Sequence, residues 1–234
     1  MDDYPDSLGM ELFGLHEEFK ERLATGDIVL SQYAHEKVVV KYMDNYWWRE
    51  YFIVASVVLA TNSTMHRTKT VLVEAGVCDG RAAWFALKCA TAHSAGAEYW
   101  GYDSWDGMRQ DELLDSEMKR AGQYSYLSVD RTRSNLREFG GSVRLCKGYV
   151  PESLVEFDGP PSVNWLHIDL NAARPSVAMI AHFWDRIPRG GVVLLDDYSW
   201  PGHVDMKRLM DEFLAEKQQW VIALPTGQGP VVKF

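Results

Sequence analysis

Val71-Leu72-Val73-Glu74-Ala75-Gly76-Val77-Cys78-Asp79-Gly80 is the stretch on which the reading of the whole chain turns. Its apolar start, with two β-branched valines, predicts a buried strand. An acid follows, then two glycines spaced Gly-x-x-x-Gly, and Arg81 to Ala95 is rich in helix formers. The unit is therefore strand, glycine turn, helix. In open α/β sheets such a turn, at the carboxyl end of a strand, is where ligands bind. Glycine lets the backbone approach a ligand closely, and the helix start offers unpaired N–H groups. The next strand, Glu98 to Tyr102, ends at Asp103, an acid placed to hydrogen-bond a ribose diol. A dinucleotide site carries G-x-G-x-x-G. Here Val77 and Cys78 stand where the middle glycine would be, so the turn suits a pyrophosphate poorly. A zwitterionic methionine tail fits Glu74 and the turn's N–H groups better.

A chain of 234 residues is long enough for one α/β domain with an embellishment. A net charge of −9 argues against nucleic acid or an anionic membrane as partner. Cys78, Cys89 and Cys146 are an odd number without C-x-x-C spacing, which argues against a disulfide framework or a zinc site and for a reducing cytoplasm. The acidic start (Asp2, Asp3, Asp6) carries no secretory signal, and the longest apolar run, Tyr51 to Ala60, is too short to span a bilayer.

Ser7 to Thr25 reads as an amphipathic helix with Leu8, Leu12, Leu15, Phe19 and Leu23 on one stripe, Ser7 as its N-cap and Gly26 as its stop. Ile28 to Lys41 fits no single element. Asp44 to Thr61 reads as a second helix whose aromatics Trp47, Trp48, Tyr51 and Phe52 serve core packing first, and a lid or dimer face second. Thr61 to Thr70 is a polar entry loop. Downstream, helices are expected at Val129–Phe139, Ser176–Arg186 and Asp205–Lys217, and strands at Val143–Lys147, Asn164–Leu170 and Gly191–Leu195. Trp220–Leu224 and Pro230–Phe234 are expected as two more strands, close enough for an antiparallel hairpin. The fold class is α/β: a doubly wound, mostly parallel, seven-stranded sheet with an N-terminal helical embellishment and a C-terminal hairpin. Residues 1–65 form the lid or oligomerisation segment, and 66–234 the ligand-binding domain.

Asp169 ends one strand and Asp196-Asp197 end the next. If those strands are neighbours, three carboxylates meet and raise one another's pKa unless something positive sits among them. A hard divalent cation such as Mg²⁺ is the natural answer. Beside a sulfonium methyl donor, a metal would activate an acceptor hydroxyl and a carboxylate would take its proton. Asp169 is the candidate for both ligand and base. His167 shares its sheet face but lies deeper, as a structural histidine, while His203 on the following loop is the alternative catalytic group.

With these motifs in order, the chain resembles the macrocin (TylF-like) O-methyltransferases over about Val71 to Glu216. The resemblance rests on Glu74–Gly80, Tyr102–Met108, Lys147–Leu154, His167–Asn171 and Gly190–Tyr198 followed by Trp200-Pro201-Gly202. It implies a class I, Rossmann-like enzyme using S-adenosylmethionine and Mg²⁺. The candidate cofactor residues are then Glu74, Ala75, Gly76, Gly80, Asp103, Ser104, Gly148 and Tyr149, and the implied metal ligands are Asp169, Asp196 and Asp197. Catechol-type relatives pair the second aspartate with asparagine, so Asp197 points to the sugar-modifying branch and to a sugar or glycan hydroxyl. Asn171 and Ala172-Ala173-Arg174 depart from the family pattern, which carries an acid and Leu-Tyr-Glu there. The rival readings are a nicotinamide-dependent oxidoreductase and a non-catalytic cofactor-binding protein. The aromatic N-terminal region points to a homo-oligomer.

Overall fold

The computed structural model describes residues 8–31, 43–63 and 69–234. The N-cap expected at Ser7, most of Ile28–Lys41 and much of the entry loop before Thr70 lie outside those residues.

Helices α1 (Leu8–Thr25) and α2 (Met43–Ser63) precede strand β1 (Thr70–Ala75). Then come α3 (Arg81–His93), β2 (Ala97–Asp103), α4 (Val129–Asn135), β3 (Val143–Lys147) and α5 (Glu152–Glu156). The chain continues with β4 (Trp165–Ile168), α6 (Ala173–Phe183), β5 (Val192–Leu195), α7 (Val204–Glu216) and β6 (Gly229–Val232). Among the described residues the sheet has six strands in the order β3-β2-β1-β4-β5-β6, all parallel except β6, which runs antiparallel to β5. The α/β, doubly wound expectation holds.

The seventh strand does not form. Residues 220–224 run beside β6 but share only two backbone bonds with its approach, Ile222 N–H to the Pro230 carbonyl (3.1 Å) and Leu224 N–H to the Gln228 carbonyl (2.9 Å). Pro230 has no N–H to return a bond, so a ladder cannot propagate. Two helices also end earlier than their apolar patterns suggest: Val129–Asn135 and Ala173–Phe183 each pass into a short 3-10 segment.

Side chains alternate across the sheet with period two, and the two faces have separate cores. Leu72, Tyr99, Trp165, Val192 and Leu194 pack under α1, α2 and α3, against Leu12, Phe19, Val54, Val57, Trp84 and Phe85. Val73, Ala75, Tyr102, Leu166, Ile168, Val193 and Leu195 pack on the opposite face with Met179, Phe183, Met206 and Met210. Each fully buried side chain of this size contributes on the order of 1.5–3 kcal/mol. The N-terminal helices are thus a layer of the main core. Trp48 is half exposed, and Phe52 lines the cleft described below.

The same alternation places polar residues. Glu74 pairs with His167, and His167 with Leu194, in the parallel register. Counting by twos from Leu72, Trp165 and Leu194 puts Glu74, His167 and Asp196 on the face that α2 covers. The order of strands reverses between β1 and β4, and the crevice opens beyond their carboxyl ends.

Candidate active site

That crevice is a cleft of about 1070 Å³. It is lined by the β1 turn, by Asp103 and Ser104, by Gly148 and Tyr149, and by Asp169, Asp196, Asp197 and His203. Residues from α2, notably Trp48, Arg49 and Phe52, line it as well.

The turn after β1 is fixed by close approach. Gly76 has φ +90°, and a Cβ there would fall on the backbone carbonyl of Asp169. Gly80, at φ +86°, starts α3. Cys78 takes φ +53° without being glycine, a conformation that costs on the order of 1–3 kcal/mol unless its surroundings hold it. They do so at both ends of the residue. Its N–H donates to Asp103 Oδ2 at 2.8 Å, and its carbonyl accepts from Thr132 Oγ1 (2.6 Å) and Trp105 Nε1 (3.1 Å). Asp79, beside it, is a structural tie: it accepts from the Ser31 N–H (2.7 Å) and pairs with Arg131 (3.1 Å).

Asp103 accepts a second backbone bond, from the Trp105 N–H to Oδ1 at 2.7 Å. Burial pushes its carboxyl up to about 6, against the lowering effect of those N–H donors. Ser104 closes a small turn on Asp106. Gly148 donates to the Asp103 carbonyl at 2.9 Å. Tyr149 donates to the Gly107 carbonyl at 2.7 Å, under the Arg109 guanidinium.

Glu74 lines the cleft from the end of β1. It is 1% exposed, and both its oxygens are engaged: one accepts from the Tyr99 hydroxyl, the other meets His167 Nδ1 at 3.0 Å. Tyr99 was not singled out in the sequence. Gly101 makes room for it, since a Cβ there would come within 2.8 Å of the Tyr99 ring. His167 is buried and structural. Burial opposes its charge, but Asp196 and Glu74 push it up to about 10.

The three acids do meet. Asp169, Asp196 and Asp197 each offer an oxygen within 4.8 Å of the others. Burial and the two neighbouring acids hold Asp169 well above the usual carboxylate range, and burial with Asp196 pushes Asp197 up to about 6. Asp196 lies far below that range: burial opposes its charge, but Arg49 and His167 outweigh it. Gln228, from the residues just before β6, donates to Asp196 Oδ1 at 2.8 Å. His203 Nδ1 is buried and, among the described residues, has no hydrogen-bond partner; it lies 3.8 Å from Asp197 Oδ2. Burial and the cation Arg120 hold its ring down at about 4, so it is neutral at neutral pH.

The family described as "Methyltransferase domain" matches residues 73–198, more than half of the chain and the span from β1 to the acid pair. The chain belongs to this methyltransferase family. No curated protein matches the sequence. Among solved structures, the methyltransferase is similar to the O-methyltransferase NovP (20% identity, 79% of each chain covered, TM-score 0.69). It is also similar to CalS11, a calicheamicin methyltransferase (15% identity, 99% of this chain and 94% of that one, TM-score 0.64). A third is the S-adenosylhomocysteine-bound Podospora anserina methyltransferase PaMTH1 (14% identity, 99% and 89% covered, TM-score 0.53). At these identities the likeness is one of fold.

Arg49 on α2 is a cleft residue that no motif flagged. Its Nη2 touches the Asp196 carboxylate, lies 3.0 Å from the Asp196 carbonyl oxygen and is 3.5 Å from Asp197 Oδ1. The need for a positive partner among the acids was legible, but its source was not. The donor set still suits a hard divalent cation: oxygens of three carboxylates converge within 4.8 Å of one another. Glu11, Cys89 and His93 form another potential ligand group, between α1 and α3. There the thiol donates to the Val54 carbonyl in the core and burial pushes its pKa up, as for an ordinary packed cysteine.

Proposed function

We propose that the protein is a Mg²⁺-dependent O-methyltransferase that moves a methyl group from S-adenosylmethionine to a hydroxyl of a sugar or sugar-bearing metabolite. One observation carries this reading: the converging carboxylates of Asp169, Asp196 and Asp197 share a single cleft with the β1 turn and Asp103.

In this reading the turn residues Ala75, Gly76 and Gly80 let the cofactor lie against the backbone. Asp103 accepts from the ribose hydroxyls with the lone pairs left over from its two N–H donors. Ser104, Gly148 and Tyr149 close the adenosine end. Glu74 acts through Tyr99 and His167, keeping the floor of the site rigid. S-adenosylmethionine would supply an electrophilic methyl, and Asp169, Asp196 and Asp197 would hold a Mg²⁺ ion that would supply Lewis acidity. Asp169 accepts the proton of the attacking hydroxyl. His203, neutral and with Nδ1 unpaired, is the second candidate for that step.

The names of similar proteins support the acceptor class. NovP is an O-methyltransferase, and CalS11 is described as a TDP-rhamnose 3'-O-methyltransferase of calicheamicin biosynthesis. The TylF-like resemblance of the motifs points the same way. We further infer a cytoplasmic protein that pairs with itself through its N-terminal helices. Among the described residues no helix is long and apolar enough to cross a membrane.

Calorimetric titration with S-adenosylhomocysteine, with and without Mg²⁺, is the first test. Micromolar binding is expected, followed by methyl transfer to hydroxyls of nucleotide sugars or glycosides. If no binding occurs in either condition, the cofactor reading of the β1 turn fails.

A further inference from the structure

We propose that Arg49 is a built-in competitor of the divalent cation, so that its guanidinium and the metal are alternative occupants of the Asp169–Asp196–Asp197 cluster. This rests on the metal reading above and adds to it a residue from outside the sheet.

The guanidinium sits where a cation would be drawn. One nitrogen, Nη2, meets the Asp196 carboxylate, the Asp196 carbonyl (3.0 Å) and Asp197 Oδ1 (3.5 Å) together. Mg²⁺ needs oxygen lone pairs at about 2.0–2.1 Å in near-octahedral array. Arg49 already engages lone pairs on two of the three aspartates. A metal added without moving it would set two positive charges about 4 Å apart in a buried site, where repulsion is poorly screened.

Arg49 also has somewhere to go. Its other terminal nitrogen, Nη1, donates to the Thr226 carbonyl at 3.0 Å, and the guanidinium lies 5.6 Å from the centre of the Trp200 ring. Both partners remain if Nη2 leaves the acids. Trp200 is 50% exposed, so its face borders open cleft. The helix itself need not move, because the next residue, Glu50, is held by Arg81 (2.6 Å) and His16 (3.1 Å). Exchange of arginine for metal therefore needs only a side-chain rotation. In the metal-free protein Arg49 keeps the acids from repelling one another, and in the loaded protein it is released toward Trp200.

The test is Mn²⁺ binding, read by electron paramagnetic resonance of the free ion, without cofactor or acceptor. R49Q is expected to bind one Mn²⁺ at least about tenfold more tightly than wild type, a gap of about 1.4 kcal/mol. R49K, which keeps a charge, is expected to stay near wild type. D169N is expected to lose the site in either background. If R49Q binds no more tightly while D169N still abolishes binding, the metal site stands and the competition is wrong. If neither wild type nor R49Q shows a site that depends on Asp169, the metal reading itself fails and takes the proposal with it. A second measurement needs no folded variant beyond R49K, which serves for assignment. The Arg49 Nε–H resonance of wild type is expected to shift on adding Mg²⁺, and a signal that stays fixed at saturating metal would overturn the proposal.

Discussion

Asp103 holds Cys78 in place: the aspartate at the tip of β2 accepts the backbone N–H of a residue at φ +53° in the turn after β1, at 2.8 Å. The acid proposed to bind ribose is thus also a strut of the turn proposed to receive the rest of the cofactor. Asp103→Asn would replace one accepting oxygen by an NH₂ facing an N–H donor, at a cost of about 1–3 kcal/mol. A parallel fall in stability and in S-adenosylhomocysteine affinity is expected, measured by urea denaturation and calorimetry. Loss of affinity with unchanged stability would mean the strut carries no load.

Asp103 also gives the site a pH dependence. Its folded pKa of about 6 lies above the ordinary 3.8, so the folded chain holds this proton longer than the unfolded chain does. Its contribution to stability is full below about 4 and is lost as pH rises through about 6. Ribose recognition runs the other way, because the ionised carboxylate is the better acceptor. Affinity for S-adenosylhomocysteine should climb through pH 6 and level off above it, and D103N should flatten that rise. A flat wild-type profile between pH 5 and 7 would remove Asp103 from the ribose site.

Gly76 separates β1 from the end of β4 by the width of a missing methyl. Gly76→Ala places a Cβ on the Asp169 carbonyl and asks alanine to hold φ +90°. The two strand ends must part, so a loss on the order of 3 kcal/mol is expected. Thermal unfolding should show this as a drop in Tm of several degrees, at about 2–4 °C per kcal/mol for a chain this long. An unchanged Tm would show that the crevice opens without cost.

Tyr99→Phe strips one donor from the buried Glu74 carboxylate and leaves the ring in place. The expected cost is about 1–3 kcal/mol. Because Glu74 also meets His167, which lies 3.5 Å from Asp196, catalysis should fall with stability. Full turnover by a destabilised Y99F would confine the Tyr99–Glu74–His167 row to folding.

Asp169→Asn tests the chemistry directly. Turnover should drop by roughly 10²- to 10⁴-fold, with S-adenosylhomocysteine still bound. His203→Asn separates the two candidate bases: if Asp169 takes the proton, the His203 variant keeps the pH–rate profile of wild type. Full activity of D169N, and of EDTA-treated enzyme, would end the metal mechanism.

What the sequence made legible is what one strand and its turn encode. Val71–Val73, Gly76, Gly80 and the tip at Asp103 could be read because a buried strand, a glycine turn and a helix leave local signatures. The convergence of Asp169 with Asp196 and Asp197 required only that β4 and β5 be neighbours, which they are. Arg49 could not be read this way. It is one of several charges on an aromatic helix, and only the packing of α2 on the Leu72–Trp165–Leu194 face brings it to the acids. Tyr99 escaped for a similar reason, since its partner Glu74 is set by cross-strand neighbours. The missing seventh strand turned on one proline, Pro230, whose lack of an N–H matters only once its partner is known.

Gln228 gives the site a history in time. The carboxylate it anchors, Asp196, is also touched by Arg49, 147 residues earlier in the sequence. During synthesis the α2 helix, the β1 turn and the acid pair all leave the ribosome before Gln228 does. A nascent chain can therefore carry every residue of the family match, 73–198, and still lack the amide that holds Asp196 in position. The family match ends at Tyr198, so Asp196 takes one of its hydrogen-bond donors from outside the matched span.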